Sequence, residues 1–107
     1  MLEEFNKTFE VEGPFKMIEL ENAIIRKFGS IQYMFHKQWN ETSDYMEETK
    51  HPAHYTCGTD FQWEDNNITT DYNNEEKYTT REMALMGLCL DNKNKFKTLV
   101  RRVYNVE

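Results

Sequence analysis

The densest collection of chemically capable side chains in the sequence is His51-Pro52-Ala53-His54-Tyr55-Thr56-Cys57. Imidazole and thiolate are ligands that zinc favours, and four of them held tetrahedrally make a structural site. His51, His54 and Cys57, with Cys89 or His36 supplied from elsewhere, would provide that set. The spacing argues against it, because three ligands so close in sequence close no useful loop and no Cys-x-x-Cys pair is present. The alternative is a turn, with Pro52 fixing its own φ and holding His51 extended.

Cys57 and His54 also suggest a nucleophile with its base. Residues three apart on a strand point to opposite faces, however, so the pair would need a bend to meet. No Gly-rich phosphate loop, nucleophile elbow or Asp-x-Asp metal pair occurs. Carboxylate pairs are so abundant that no single pair is informative. No catalytic residue and no cofactor is therefore assigned, and the chain reads as a binding protein and not as an enzyme. A small enzyme or ligand-binding protein stays open as an alternative, and would require a pocket gathering His36, His54 and a carboxylate.

The charge layout carries more. Nineteen Asp and Glu oppose 13 Lys and Arg, for a net charge of −6. Between Glu41 and Glu76 stand ten carboxylates (Glu41, Asp44, Glu47, Glu48, Asp60, Glu64, Asp65, Asp71, Glu75, Glu76) and one cation, Lys50. From Lys93 to Arg102 there are five cations and no acid. The molecule is electrically lopsided. Aromatic side chains run through the acidic stretch: Trp39, Tyr45, Tyr55, Phe61, Trp63, Tyr72 and Tyr78. Rings supply much of the binding energy at protein interfaces, while charge orients and accelerates the encounter. A solvated acidic face that merely confers solubility is the plain alternative. Direct nucleic-acid binding is not expected, since the charge balance opposes contact with phosphates.

Those side chains must be positioned by a single domain spanning residues 1–107, because a chain of this length buries roughly 65% of its extended surface around one core. With 14% aromatic residues it has the means to fold despite a mean hydropathy of −0.88. Gly13-Pro14 and Phe28-Gly29 bracket a helix over 14–28, with Met17, Ile18, Leu20, Ile24, Ile25 and Phe28 on one broad stripe. Phe5, Phe9 and Val11 suggest a short strand or extended arm before it. Residues 31–39 lean towards a strand on aromatic and β-branched content. Residues 40–50 read as an exposed turn or a single helical turn.

Further along, Tyr55–Cys57 and Phe61–Trp63 flank Gly58-Thr59-Asp60, a plausible tight hairpin, with Phe61 or Trp63 in the core. Residues 64–77 have loop polarity around one edge strand near Ile68. Thr79-Thr80-Arg81-Glu82 matches a capping box ahead of a buried helix over 83–90. Asp91-Asn92-Lys93-Asn94 ends it, and 96–106 fits either a helix or a terminal strand. The sum is an α+β fold: two or three helices packed on a small antiparallel sheet.

Neither a signal peptide nor a membrane span is expected: Met1-Leu2-Glu3-Glu4-Phe5 lacks a basic region, and the longest apolar run is eight residues. Two cysteines make no disulfide framework. These features suggest a cytoplasmic protein. The richness in Asn, Lys, Glu, Tyr and Phe is the style of AT-rich phage and mobile-element genomes. The resulting expectation is a small acidic protein that inhibits or redirects a basic host protein, a nucleic-acid-handling or defence factor. Its contact surface would comprise Trp39, Glu41, Asp44, Tyr45, Glu47, Glu48, Trp63, Glu64, Asp65, Asp71 and Tyr72.

Overall fold

The first structural surprise is at the N-terminus. Phe5 and Phe9 are four residues apart, which places them on one face of a helix, and Leu2–Phe9 is helical (α1), not extended. Both rings are fully buried, with centroids 4.9 Å apart. Glu3 and Glu4 in the first turn complement the helix dipole, and Glu10, at φ 56°, closes the helix in the left-handed conformation. The computed structural model describes residues 1–42, 45, 48–60, 67–70 and 78–106.

The next helix, α2 (Met17–Phe28), starts three residues later than the Gly-Pro signal predicts. The Tyr104 hydroxyl holds the preceding turn open: it accepts the Lys16 N–H at 3.0 Å and donates to the Pro14 carbonyl at 3.4 Å. Gly29 ends α2 as expected, at φ 101°, with its N–H on the Ile25 carbonyl. Leu20, Ile24 and Phe28 form the buried stripe.

Five strands follow: β1 (Gln32–His36), β2 (Trp39–Thr42), β3 (Glu48–His51), β4 (His54–Asp60) and β5 (Asn67–Thr69). β1, β4 and β5 make one antiparallel sheet in that order, and β2 with β3 makes a second. Residues 40–50 are thus mostly paired strand and not the exposed turn expected of them. Gly58-Thr59-Asp60 is also not a turn. β4 runs straight through it, pairing Gly58 with Gln32 on one side and Thr69 on the other. Gly58 is there for close approach: a Cβ would lie 3.2 Å from the Ile68 carbonyl and the Thr69 methyl. Ile68 is buried on its expected short strand. The positions of Phe61 and Trp63, and the rest of 64–77, lie outside the described residues.

The C-terminal third is helical. Thr80 caps α3 (Arg81–Asp91) by accepting the Met83 N–H at 3.0 Å, so the cap lies one residue beyond the Thr79–Glu82 box. Ala84 to Cys89 are all buried, as their all-round apolarity predicts. Asn92 breaks the helix. Its side-chain amide donates to the Leu88 carbonyl at 2.9 Å and the Thr69 carbonyl at 3.2 Å, tying the break to β5. The remaining segment, α4 (Lys93–Val103), is helix and not strand, with Phe96, Leu99 and Val100 inward. The fold is α+β, with four helices among the described residues; the addition is α1.

Candidate functional site

The two small sheets form one ribbon. His36 pairs with His54 and Trp39 pairs with His51, with two residues between on each strand. Equal spacing keeps the register, so Gln32–Thr42 and Glu48–Gly58 run side by side as a single antiparallel pair. Pairing lapses beside Pro52, which has no N–H to give. The sheet half is anchored: β4 packs on α3, Tyr55 bridges to Tyr78, and the Thr59 hydroxyl donates to the Ser30 carbonyl. The other half is not. β2 and β3 contact chiefly each other, and every β2 residue is exposed. The ribbon therefore stands about 20 Å beyond His36. The molecule measures 53 × 32 × 20 Å.

Alternation puts residues 35, 39 and 41 of one strand and 49, 51 and 55 of the other on a single side. Cross-strand partners there form ring pairs. Phe35 meets Tyr55 at 5.0 Å, and Trp39 stacks on His51 at 3.8 Å with planes 7° apart. The His51 Nε2 lies 3.3 Å from a Glu41 carboxylate oxygen, which fixes the imidazole against the indole. Despite this pairing Phe35 is 53% and Trp39 48% exposed, and Tyr45 is 89% exposed in the turn. Rings held by a partner yet open to solvent lose little further freedom on docking.

Of the eleven residues expected at a contact surface, Trp39, Glu41, Tyr45 and Glu48 fall on this ribbon and are exposed. Asp44, Glu47, Trp63, Glu64, Asp65, Asp71 and Tyr72 lie outside the described residues. Among the described residues Lys37 and Lys50 share the ribbon with Glu41 and Glu48, so these charges balance. Phe35, Tyr55 and His51 are additions. Their signal was the even spacing about Pro52, legible only once the register is known.

The zinc set is scattered. His51 is on the ribbon, His54 is buried with Nδ1 2.9 Å from the Pro52 carbonyl oxygen, and Cys57 and Cys89 are buried thiols in β4 and α3. Among the described residues no three His, Cys, Asp or Glu gather closely enough to hold a metal ion. Burial, with the Glu21 carboxylate adding to it, pushes the Cys57 thiol up to about 12, and burial also raises Cys89. Neutral thiols are poor ligands and poor nucleophiles. His36 and His54 do meet: their rings stack at 4.7 Å, and His36 Nε2 lies 3.1 Å from the Thr56 hydroxyl.

No helix among the described residues is long and apolar enough to cross a membrane. No protein-family model matches the chain, and neither a curated protein nor a solved structure matches it.

Proposed function

We propose that the chain is a protein-binding protein that docks the ring-bearing side of its ribbon on a basic partner. The observation that carries this reading is the pair of cross-strand ring contacts, Phe35–Tyr55 and Trp39–His51, displayed on one side of a projecting arm. Large apolar rings exposed together mark interaction surfaces more often than isolated ones do. Carboxylates at Glu41, Asp44, Glu47 and Glu48 would meet Lys and Arg of the partner and speed the encounter. The composition suggests a phage or mobile-element product acting in the host cytoplasm, with a nucleic-acid-handling or defence protein as the target it inhibits or redirects.

Affinity capture from host lysate tests this, followed by titration of the purified partner. The captured protein is basic, and dissociates as salt rises from ~0.1 to ~0.5 M because exposed charges are screened. Trp39→Ala weakens binding by at least ~tenfold, the effect of losing a ~1.4 kcal/mol anchor. Binding that ignores both salt and Trp39→Ala would remove the ribbon from the interface.

A further inference from the structure

The face built by α2 and α4 has the opposite character from the ribbon. Between these helices lies an open groove of about 730 Å³. Ala23, Leu99 and Val103 line it as an apolar floor, and around it stand three cations, Arg26, Lys27 and Arg102, and one carboxylate, Glu19. The trough exists because Ala23 and Thr98 are short where their neighbours are long. It continues into a depression of about 630 Å³ that shares Thr98 and Arg102 and adds Lys97 and Arg101. Arg101 is committed to the end of α1, donating to the Phe9 carbonyl and the Glu10 carboxylate. Among the described residues, Arg26, Lys97 and Arg102 form no ion pair.

A cation in the last turn of a helix offsets the dipole, which accounts for one charge at each helix end. It does not account for the apolar floor. Ile18 and Ile25 share a side of α2 with the groove-lining Asn22, and they are 68% and 43% exposed. Both lie outside the groove lining, on the far side of Asn22 from its floor.

We propose that this groove is a second docking site, which takes an acidic amphipathic helix from a partner protein. The apolar side of that helix covers Ala23, Leu99 and Val103, and its carboxylates meet Arg26, Lys97 and Arg102. The lining runs from Glu19 to Lys27 along α2, about 12 Å, enough for about two turns of a bound helix. A peptide fits the chemistry better than a nucleic acid. Phosphates would use the cations but leave the apolar floor uncovered, and a densely charged polyanion is repelled by a molecule of net charge −6.

The probe is a fluorescein-labelled peptide of about 15 residues, with leucines at i, i+4 and i+7, a few glutamates flanking that stripe, and alanine or glutamine elsewhere. Its anisotropy is read against the full-length protein at ~50 mM salt. The controls are the same peptide with serine at the leucine positions and a single-stranded oligonucleotide of about 15 nucleotides. The leucine peptide binds saturably, at least ~tenfold more tightly than either control, the discrimination expected of a buried apolar anchor. Arg26→Glu with Arg102→Glu abolishes binding, and Thr98→Trp, which fills the trough from an exposed position, weakens it at least ~tenfold. Both variants are first shown by circular dichroism and thermal melting to fold as the parent does; the milder Arg26→Gln, Arg102→Gln pair replaces the first if it does not. Trp39→Ala leaves peptide binding unchanged, so this site and the ribbon fail or survive separately. Absence of saturable binding, equal affinity for the leucine and serine peptides, or tighter binding of the oligonucleotide overturns the proposal. So does a dimer, seen by sedimentation, that Arg26→Glu dissolves, because it assigns the groove to a second copy.

Discussion

Tyr33 and Cys57 are Cα partners across β1 and β4, and the same carboxylate acts on both. The Tyr33 hydroxyl donates to Glu21 at 2.6 Å, and burial together with that bond raises its pKa. Burial first, and Glu21 second, raise Cys57 to about 12, and Cys89 is raised by burial and by Cys57. Each folded group keeps a proton that the unfolded chain releases near its ordinary value, 9.0 for a thiol and 10.0 for the phenol. Above pH 9 the native state therefore binds more protons than the unfolded one, and stability falls as pH rises. The contribution is whole below pH ~8 and is lost at up to about 1.4 kcal/mol per pH unit for Cys57 between 9 and 12. Urea unfolding at pH 7.5, 9.5 and 10.5 checks it. Stability declines across the series and Cys57→Ala flattens the decline; a flat or rising profile in the parent contradicts the burial argument. Gly87 gives a second residue-scale test. A Cβ there would sit 2.5 Å from Tyr78 Cζ, and ring displacement would disturb the Tyr55–Tyr78 bridge as well. Gly87→Ala is expected to cost about 1–3 kcal/mol by overpacking, seen as a lowered thermal midpoint.

At the scale of elements, the α3 cap separates two neighbouring threonines. Thr80→Ala removes the acceptor for the Met83 N–H and costs about 1 kcal/mol in denaturant unfolding. Thr79→Ala, whose hydroxyl donates to the Met83 sulfur and to no other group among the described residues, costs less than half as much. The capping residues were legible in the sequence to within one position, and α2 and α3 were legible almost whole, because caps and a buried stripe are local signals. α1 was not, because Phe5, Phe9 and Val11 satisfy a period of two as readily as Phe5 and Phe9 satisfy a helix, and eight residues are too few to choose. The turn reading of Gly58 failed because the reversal comes later in the chain: β4 continues to Asp60, which pairs with Asn67 of β5, and Gly58 is set by the close approach of Ile68 and Thr69. The ribbon was hidden differently. β2 and β3 bury nothing, so no hydrophobic alternation marks them. Trp39 and Tyr45 could be named from composition, but the Phe35–Tyr55 and Trp39–His51 pairs exist only in the register that chain pairing sets.

For the molecule as a whole, shape separates what folds from what binds. The Cα radius of gyration is 15.5 Å, where a compact domain of this length has about 13 Å. The projecting ribbon adds to that extension. The core of Phe5, Phe9, Leu20, Ile24, Leu85, Leu88, Phe96 and Val100 is complete without it. A segment with little buried apolar surface contributes little to global stability and opens at low cost. Replacing residues 40–50 by Asn-Gly would join Trp39 to His51 through a two-residue turn that suits the twist of paired strands. That variant should unfold within about 1 kcal/mol of the parent, since it removes no core contact. Its radius of gyration by small-angle scattering should fall towards ~13 Å. Partner capture should fall with it, because Glu41, Tyr45 and Glu48 are gone, while acidic-peptide binding at the α2–α4 groove persists. A shortened protein that melts with the loss of several kcal/mol would mean that the ribbon supports the core, and its exposed rings would then need a structural explanation in place of a docking one.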